Sequence, residues 1–472
     1  MKNQRSLVAV MSVFFFWGFL AASNGVFIPF CKNHFKLSQF QSQLIDSAFY
    51  GAYFTGALLL LTIKLLFKID FIQKVGFKFA LIGGIGLSVA GAILMIPALE
   101  MNSLNFIMIS FFTIALGFSL QQTTANPLTL LLGDPHSGSK RLNLAGGINS
   151  IGTTVGPLVV GQLLFGNAIA GVQQEPAVEG VVILYKIFAL LFGCIEFILF
   201  FTLNNKALLD LQPNEEETAE KDFSVWSFLK QNVQLRWGMA AIFVYVGVEV
   251  TIQSNLGALI KNPEYGSISG SLLASFISLY WGGLMVGRWM AGSSLVEAKK
   301  WIQWLIIYAT AYAAFGVVLL SNVLNHKDIQ PLIPFAWVIF PFVTTYAFYR
   351  HHPLLAFRLF AIFGSIALGL GLLLHGNWSI IFLLSSGISC SIMWPGIYAT
   401  ALNGLKGHAG FGSSLLIMMV LGGACLPPTQ GLISDWAGIK ISYLLPLMGF
   451  VFLAIYAIQA LKFVKNQQSA IE

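Results

Sequence analysis

Apolar stretches of about twenty residues recur along the whole of this chain, and that recurrence constrains the fold more than any motif does. Each is long enough to cross a hydrocarbon core of about 30 Å as a helix. Lipid offers the backbone no hydrogen-bond partners, so a spanning segment must satisfy its own, as a helix does. We read fourteen such segments: 7–30, 40–66, 76–98, 105–132, 143–170, 182–204, 237–261, 268–294, 301–323, 331–349, 353–374, 378–403, 411–434 and 441–463. Of the 472 residues, 57% are hydrophobic and 10% charged, where a soluble domain carries about 25% charged. An all-α membrane protein is expected.

The net charge of +7 fits the cytoplasmic accumulation of lysine and arginine beside spanning helices. With the N-terminus inside, most cations near helix ends fall on the cytoplasmic side, from Lys64 and Lys68 through Lys230 and Arg350 to Lys465. Lys32, Lys36, Lys186, Lys261, Lys327 and Lys440 fall outside. Both termini are therefore expected in the cytoplasm of a bacterial cell, with the chain multi-pass in its inner membrane, surrounded by lipid and without a nucleic-acid partner. The first apolar run has no convincing cleavage site and is expected to remain as helix one. Cys31, Cys194, Cys390 and Cys425 lie far apart, form no CxxC pair, and read as small apolar core residues. The one close histidine pair, His351 and His352, is adjacent on the chain and does not face one site. No metal, cofactor or catalytic motif is expected.

The long polar stretch 205–236, with Glu215-Glu216-Glu217, follows the sixth segment and reads as a cytoplasmic linker. It would join a six-helix bundle over 1–204 to a second bundle over 237–472. An internal repeat supports two halves: Gly152, Pro157 and Gly161 in the fifth segment have the same spacing as Gly422, Pro427 and Gly431 in the thirteenth. A break is expected before each, at Asn126-Pro127 and Trp394-Pro395. If the fifth and thirteenth segments correspond, the second half carries two extra helices.

Polar groups inside apolar segments point to function, because a charge there costs roughly 2.5 kcal/mol or more. Glu249 lies mid-segment with no basic residue within one turn, so it is either protonated or faces water. Asp46 begins the second segment and is either solvated or functional. Glu196, among Phe and Ile, reads as a neutral structural carboxyl. Amides recur as well: Asn24, Gln121, Gln122, Asn126, Asn149, Gln162, Gln253, Asn255 and Gln430. Singly, each reads as helix–helix glue; together they indicate a polar central cavity. Amides offer both donors and an acceptor, which suits a polyhydroxylated solute. Gln122 and Asn126, four apart on one helix face, lead with Asn149, and Gln253 joins them. Tyr50, Tyr53 and Trp394 are candidate stacking platforms. Arg141 and Arg288 read as anchors or gates at cytoplasmic helix ends.

Several stretches resemble the fucose–proton symporter family of the major facilitator superfamily. They are Phe14-Phe15-Phe16-Trp17 with Ser23-Asn24, then Gln43 to Phe54, Thr123-Thr124-Ala125-Asn126-Pro127, Arg141-Leu142-Asn143, Asn149-Ser150, Tyr245-Val246-Gly247, Gly287-Arg288 and Gly412-Ser413-Ser414. The resemblance covers roughly 10–294 and 353–460 and leaves about 301–349 as an inserted helix pair on a twelve-helix core. It implies a major facilitator fold of two helical bundles. It also implies import of a small sugar coupled to an ion, without enzymatic activity, by a chain that works as a monomer. It adds Asn24 to the sugar-binding candidates. One departure matters. The family's two coupling carboxylates align with Gly25 and Gln122, which do not titrate. Coupling has then moved to Glu249 and Asp46, uses another ion such as sodium, or is absent, as in a uniporter. A non-sugar solute and a membrane-embedded sensor remain the rival readings.

Overall fold

The computed structural model describes residues 2–67, 71–132, 138–165, 178–203, 225–265, 270–293, 296, 298–405 and 409–469. Among these the secondary structure is helical, with no strand. The long helices are α1 (Lys2–His34), α2 (Gln39–Phe67), α3 (Phe77–Glu100), α4 (Leu104–Leu131), α5 (Gly138–Phe165), α6 (Val178–Thr202), α7 (Val233–Ser254) and α8 (Gly270–Ser293). They continue as α9 (Lys300–Leu324), α10 (Phe335–Tyr349), α11 (Pro353–Leu373), α12 (Gly376–Cys390), α13 (Met393–Leu402), α14 (Ala409–Met418), α15 (Gly422–Ala437) and α16 (Leu444–Ser469).

By length and composition, 13 helices among the described residues can cross a membrane. In that count α12 with α13, and α14 with α15, each act as one span. The 24-residue α8 is long enough but more polar, with Ser275, Ser278 and Arg288 along it, and its middle turns are buried by other helices. Together they match the apolar segments of the sequence one for one. The protein is a multi-pass membrane protein.

The helix contacts repeat. α1 packs on α5, α2 on α4, and α3 on α4 and α6; in the later part α7 packs on α15, α8 on α12, and α11 on α12 and α16. The most extensive contacts between the sets are α2 with α15 and α5 with α8. α9 and α10 have no counterpart in this scheme and lie against α8, α11 and α12. The repeated glycines show why the two sets look alike. A Cβ on Gly152 would stand 2.1 Å from the Phe15 carbonyl of α1, and one on Gly422 would stand 1.8 Å from the Phe243 carbonyl of α7. Only glycine lets the backbones approach this closely, and membrane helices associate through such small residues. The second glycines face the crossing partners, Gly161 against Ala274 of α8 and Gly431 against Phe40 of α2.

Three expectations change. Pro127 does not break its helix: α4 runs on to Leu131 with Pro127 inside it. A proline removes one N–H donor but fits a helix whose neighbours absorb the distortion. The break near Pro395 is real, and falls between Cys390 and Met393. Cys31 and Cys390 are core residues, but Cys194 and Cys425 are exposed, because α6 and α15 each turn one face outward. Of the linker, 204–224 lies outside the described residues, whereas Val225–Gln231 is a short helix and α7 already begins at Val233.

Candidate functional site

Polar side chains from α2, α4, α5, α7, α8 and α13 form one connected set in the middle of the apolar helices. On α7, Tyr245 and Glu249 are four residues apart and so share a face; the Tyr245 hydroxyl and Arg288 of α8 both act on the Glu249 carboxyl electrostatically. Glu249 Oε2 is buried with no hydrogen-bond partner among the described residues. The Tyr280 hydroxyl of α8 donates to the Glu249 main-chain oxygen at 2.8 Å and fixes the two helices at this level.

Arg288 reaches across to α5. Its Nη1 donates to Ser150 Oγ at 3.1 Å and lies 3.5 Å from Asn149 Oδ1. Asn149 Nδ2 donates to the Phe14 carbonyl of α1 at 2.9 Å. Thus Asn149 is held by two helices with its oxygen turned to a cation. On the other wall, Gln122 Nε2 donates to the Tyr53 hydroxyl at 3.4 Å. Tyr53 stacks on Tyr50 with ring centroids 6.3 Å apart, and Tyr50 feels both Asp46 and Glu249 electrostatically. Trp394 lies 6.2 Å from the Tyr245 ring and stacks on Tyr398 at 6.2 Å. Gln122, Asn126, Asn149, Glu249 and Trp394 are all half-buried, and so retain unused surface and hydrogen-bonding capacity.

The remaining candidates form a second set, towards the end of the bundle where α1 meets α2. Asp46 is fully buried and not solvated, because α1 and α7 close over it. Asn24 Nδ2 donates to Asp46 Oδ1 at 3.3 Å. The Ser254 hydroxyl donates to Asp46 Oδ2, and Gln253 Nε2 donates to Ser254 Oγ at 2.8 Å. Nearby, Gln39 Nε2 donates to Asn255 Oδ1 at 2.7 Å, and Asp435 of α15 accepts from the main-chain N–H groups of Gln39 and Phe40, each at 2.9 Å. These contacts draw this end of the molecule together.

Other polar groups are structural. Gln121 is fully buried: its oxygen accepts from Trp17 Nε1 at 2.9 Å, and its Nε2 donates to the Gly84 carbonyl at 2.9 Å and to Ser88 Oγ at 2.8 Å. Glu196 sits beside Gly86 of α3, away from both sets. Arg141, in the first turn of α5, is buried and donates to the Thr129 carbonyl at 2.9 Å. Arg288, expected as an anchor or gate at a helix end, lies more than a turn inside α8 and acts on Glu249. Ser254, Tyr245 and Tyr280 were not singled out as binding residues; the four-residue spacing of Tyr245 and Glu249 was the available signal.

A model of the Major Facilitator Superfamily matches residues 7–350. The chain is similar to a glucose/galactose transporter of Brucella abortus, 29% identical, covering 96% of this chain and 93% of the relative. It is also similar to the L-fucose-proton symporter of Haemophilus influenzae, 24% identical over 97% of each. Among solved structures it matches the Escherichia coli fucose:proton symporter with a TM-score of 0.61 at 22% identity, covering 98% of this chain and 99% of that one.

Proposed function

Because the chain belongs to the major facilitator superfamily, we propose that it is a secondary active transporter importing a small sugar, a hexose or deoxyhexose, by alternating access. The central set carries this reading. Its half-buried amides supply paired donors and acceptors for hydroxyl groups, its tyrosines and Trp394 supply ring faces, and it joins helices from both ends of the chain. The relatives named for glucose, galactose and L-fucose point to the same substrate class.

In this reading Gln122, Asn126 and Asn149 bind sugar hydroxyls, and Tyr50, Tyr53 and Trp394 frame the ring. Asn24 and Gln253 act at the second set instead, where they surround Asp46 and Ser254. The bundles 1–204 and 237–472 rock about the midplane, joined by 205–236, and carry the sugar from one side to the other. The chain lies in the inner membrane with both termini cytoplasmic, which makes the end drawn together by Asp46 and Asp435 the outer one. It works as a monomer, and Glu249 and Asp46 couple transport to a proton or sodium ion. Binding of D-glucose, D-galactose and L-fucose to the purified protein, followed by tryptophan fluorescence, tests the reading. One of these is expected to saturate, and to weaken at least tenfold in Gln122→Ala. No response to any sugar would remove the substrate assignment.

A further inference from the structure

The hydrogen bonds around Asp46 do not balance. Asp46, Gln43 and Gln253 are fully buried; among the described residues only Ser254 and Asn24 hydrogen-bond the Asp46 side chain, and no lysine or arginine acts on it. Two carboxylate oxygens can accept about four hydrogen bonds, and they receive one from Asn24 and one from Ser254. Two glutamine oxygens of the same cluster, Gln43 Oε1 and Gln253 Oε1, are buried and receive none among the described residues.

The orientation of both amides is dictated by their partners. The single proton of Ser254 Oγ goes to Asp46, so Ser254 Oγ can only accept from Gln253, which must present its NH₂ at 2.8 Å. Gln43 Nε2 faces the Ser254 main-chain oxygen at 3.4 Å, again a pure acceptor. Both carboxamide oxygens must therefore point away from Ser254 into buried space, that of Gln253 over Gly25. The cluster has a surplus of oxygen lone pairs and one uncompensated carboxylate.

A proton on Asp46 would neutralise the carboxylate and leave both amide oxygens unpaired. A hard cation would satisfy carboxylate and amide oxygens together, since such ions take oxygen ligands from side chains and backbone alike. One carboxylate among neutral oxygens matches a single positive charge. We propose that Asp46, Gln43 and Gln253, oriented by Ser254, form a monovalent-cation site of the sodium type, separate from the sugar site. A cation held there ties α2 to α7, so its occupancy favours closure of this end. That role in coupling rests on the transport reading; cation binding itself does not.

The test is equilibrium binding of ²²Na⁺ to the purified protein in choline buffer at fixed pH without sugar. Saturable binding is expected in the native protein, weakened at least tenfold in Asp46→Asn and severalfold in Gln253→Leu and Gln43→Leu, and unchanged in Glu196→Gln. If Asp46→Asn fails to fold, the two glutamine variants carry the test, with thermal unfolding showing that they are intact. No saturable binding, or binding indifferent to Gln253→Leu and Gln43→Leu, would overturn the site. Sugar-induced fluorescence in the same choline buffer reads the sugar site alone, so its failure strikes the transport reading and not this one.

Discussion

The carboxamide of Gln253 fills the space beside Gly25: a Cβ on Gly25 would stand 2.0 Å from Gln253 Oε1. Here α1 and α7 meet through a residue without a side chain and one that reaches over it. Gly25→Ala should force this contact apart and, as overpacking does, destabilise by about 1–3 kcal/mol. Because the obstructing atom ends a flexible side chain, adding Gln253→Ala should recover most of the loss. A double-mutant cycle read by thermal unfolding measures the coupling; additive effects would show that the two residues do not meet.

Asp435 caps the start of α2 from α15, accepting from the N–H groups of Gln39 and Phe40. The first N–H groups of a helix have no intrahelical partner, and losing a cap costs about 0.5–2 kcal/mol. That loss falls on the state in which this end is closed. Asp435→Ala should therefore raise the population open at this end severalfold. Labelling of a cysteine introduced at Ser47, whose hydroxyl donates to the Ala424 carbonyl of α15 at 2.7 Å, should speed up by the same factor. An unchanged rate would mean that the cap does not bear on closure.

Adjacent amides should behave in opposite ways. Gln121→Ala removes three hydrogen bonds and leaves buried partners unsatisfied, at about 1–3 kcal/mol for each exposed deficit, so the melting temperature should fall by several degrees. Gln122→Ala and Asn126→Ala should leave melting nearly unchanged and raise the KM for sugar at least fivefold. The reverse pattern would place the substrate elsewhere.

Glu249 and Arg288 should act as a unit. Glu249→Gln should abolish gradient-driven accumulation while sparing sugar exchange across the membrane. Arg288→Gln should impair both, because Arg288 also holds Asn149 and Ser150. Full accumulation by Glu249→Gln would exclude Glu249 as a coupling carboxylate.

Much of the fold was legible in sequence because lipid imposes a simple rule: each spanning segment must be long, apolar and helical. The Gly-Pro-Gly repeat was legible too, and its glycines stand where helices pack closely. The site was less legible. Gln121 and Gln122 are neighbours of the same type, yet about 100° apart around a helix; only tertiary packing decides which is tied down by Trp17 and which meets Tyr53. Arg288 already lay inside the expected segment 268–294, but its contact with Asn149 and Ser150 depends on how α8 packs on α5. The enclosure of Asp46 depends on Ser254, which is distant in sequence and unremarkable in type.

Ion-coupled sugar transport is tested most directly by uptake of labelled D-glucose, D-galactose and L-fucose into proteoliposomes, under an imposed sodium gradient, a proton gradient or neither. At least one sugar is expected to accumulate above equilibrium when a cation gradient is imposed, and Glu249→Gln is expected to reduce this to simple equilibration. No uptake of any of the three sugars, by protein shown to be folded and inserted, would contradict it.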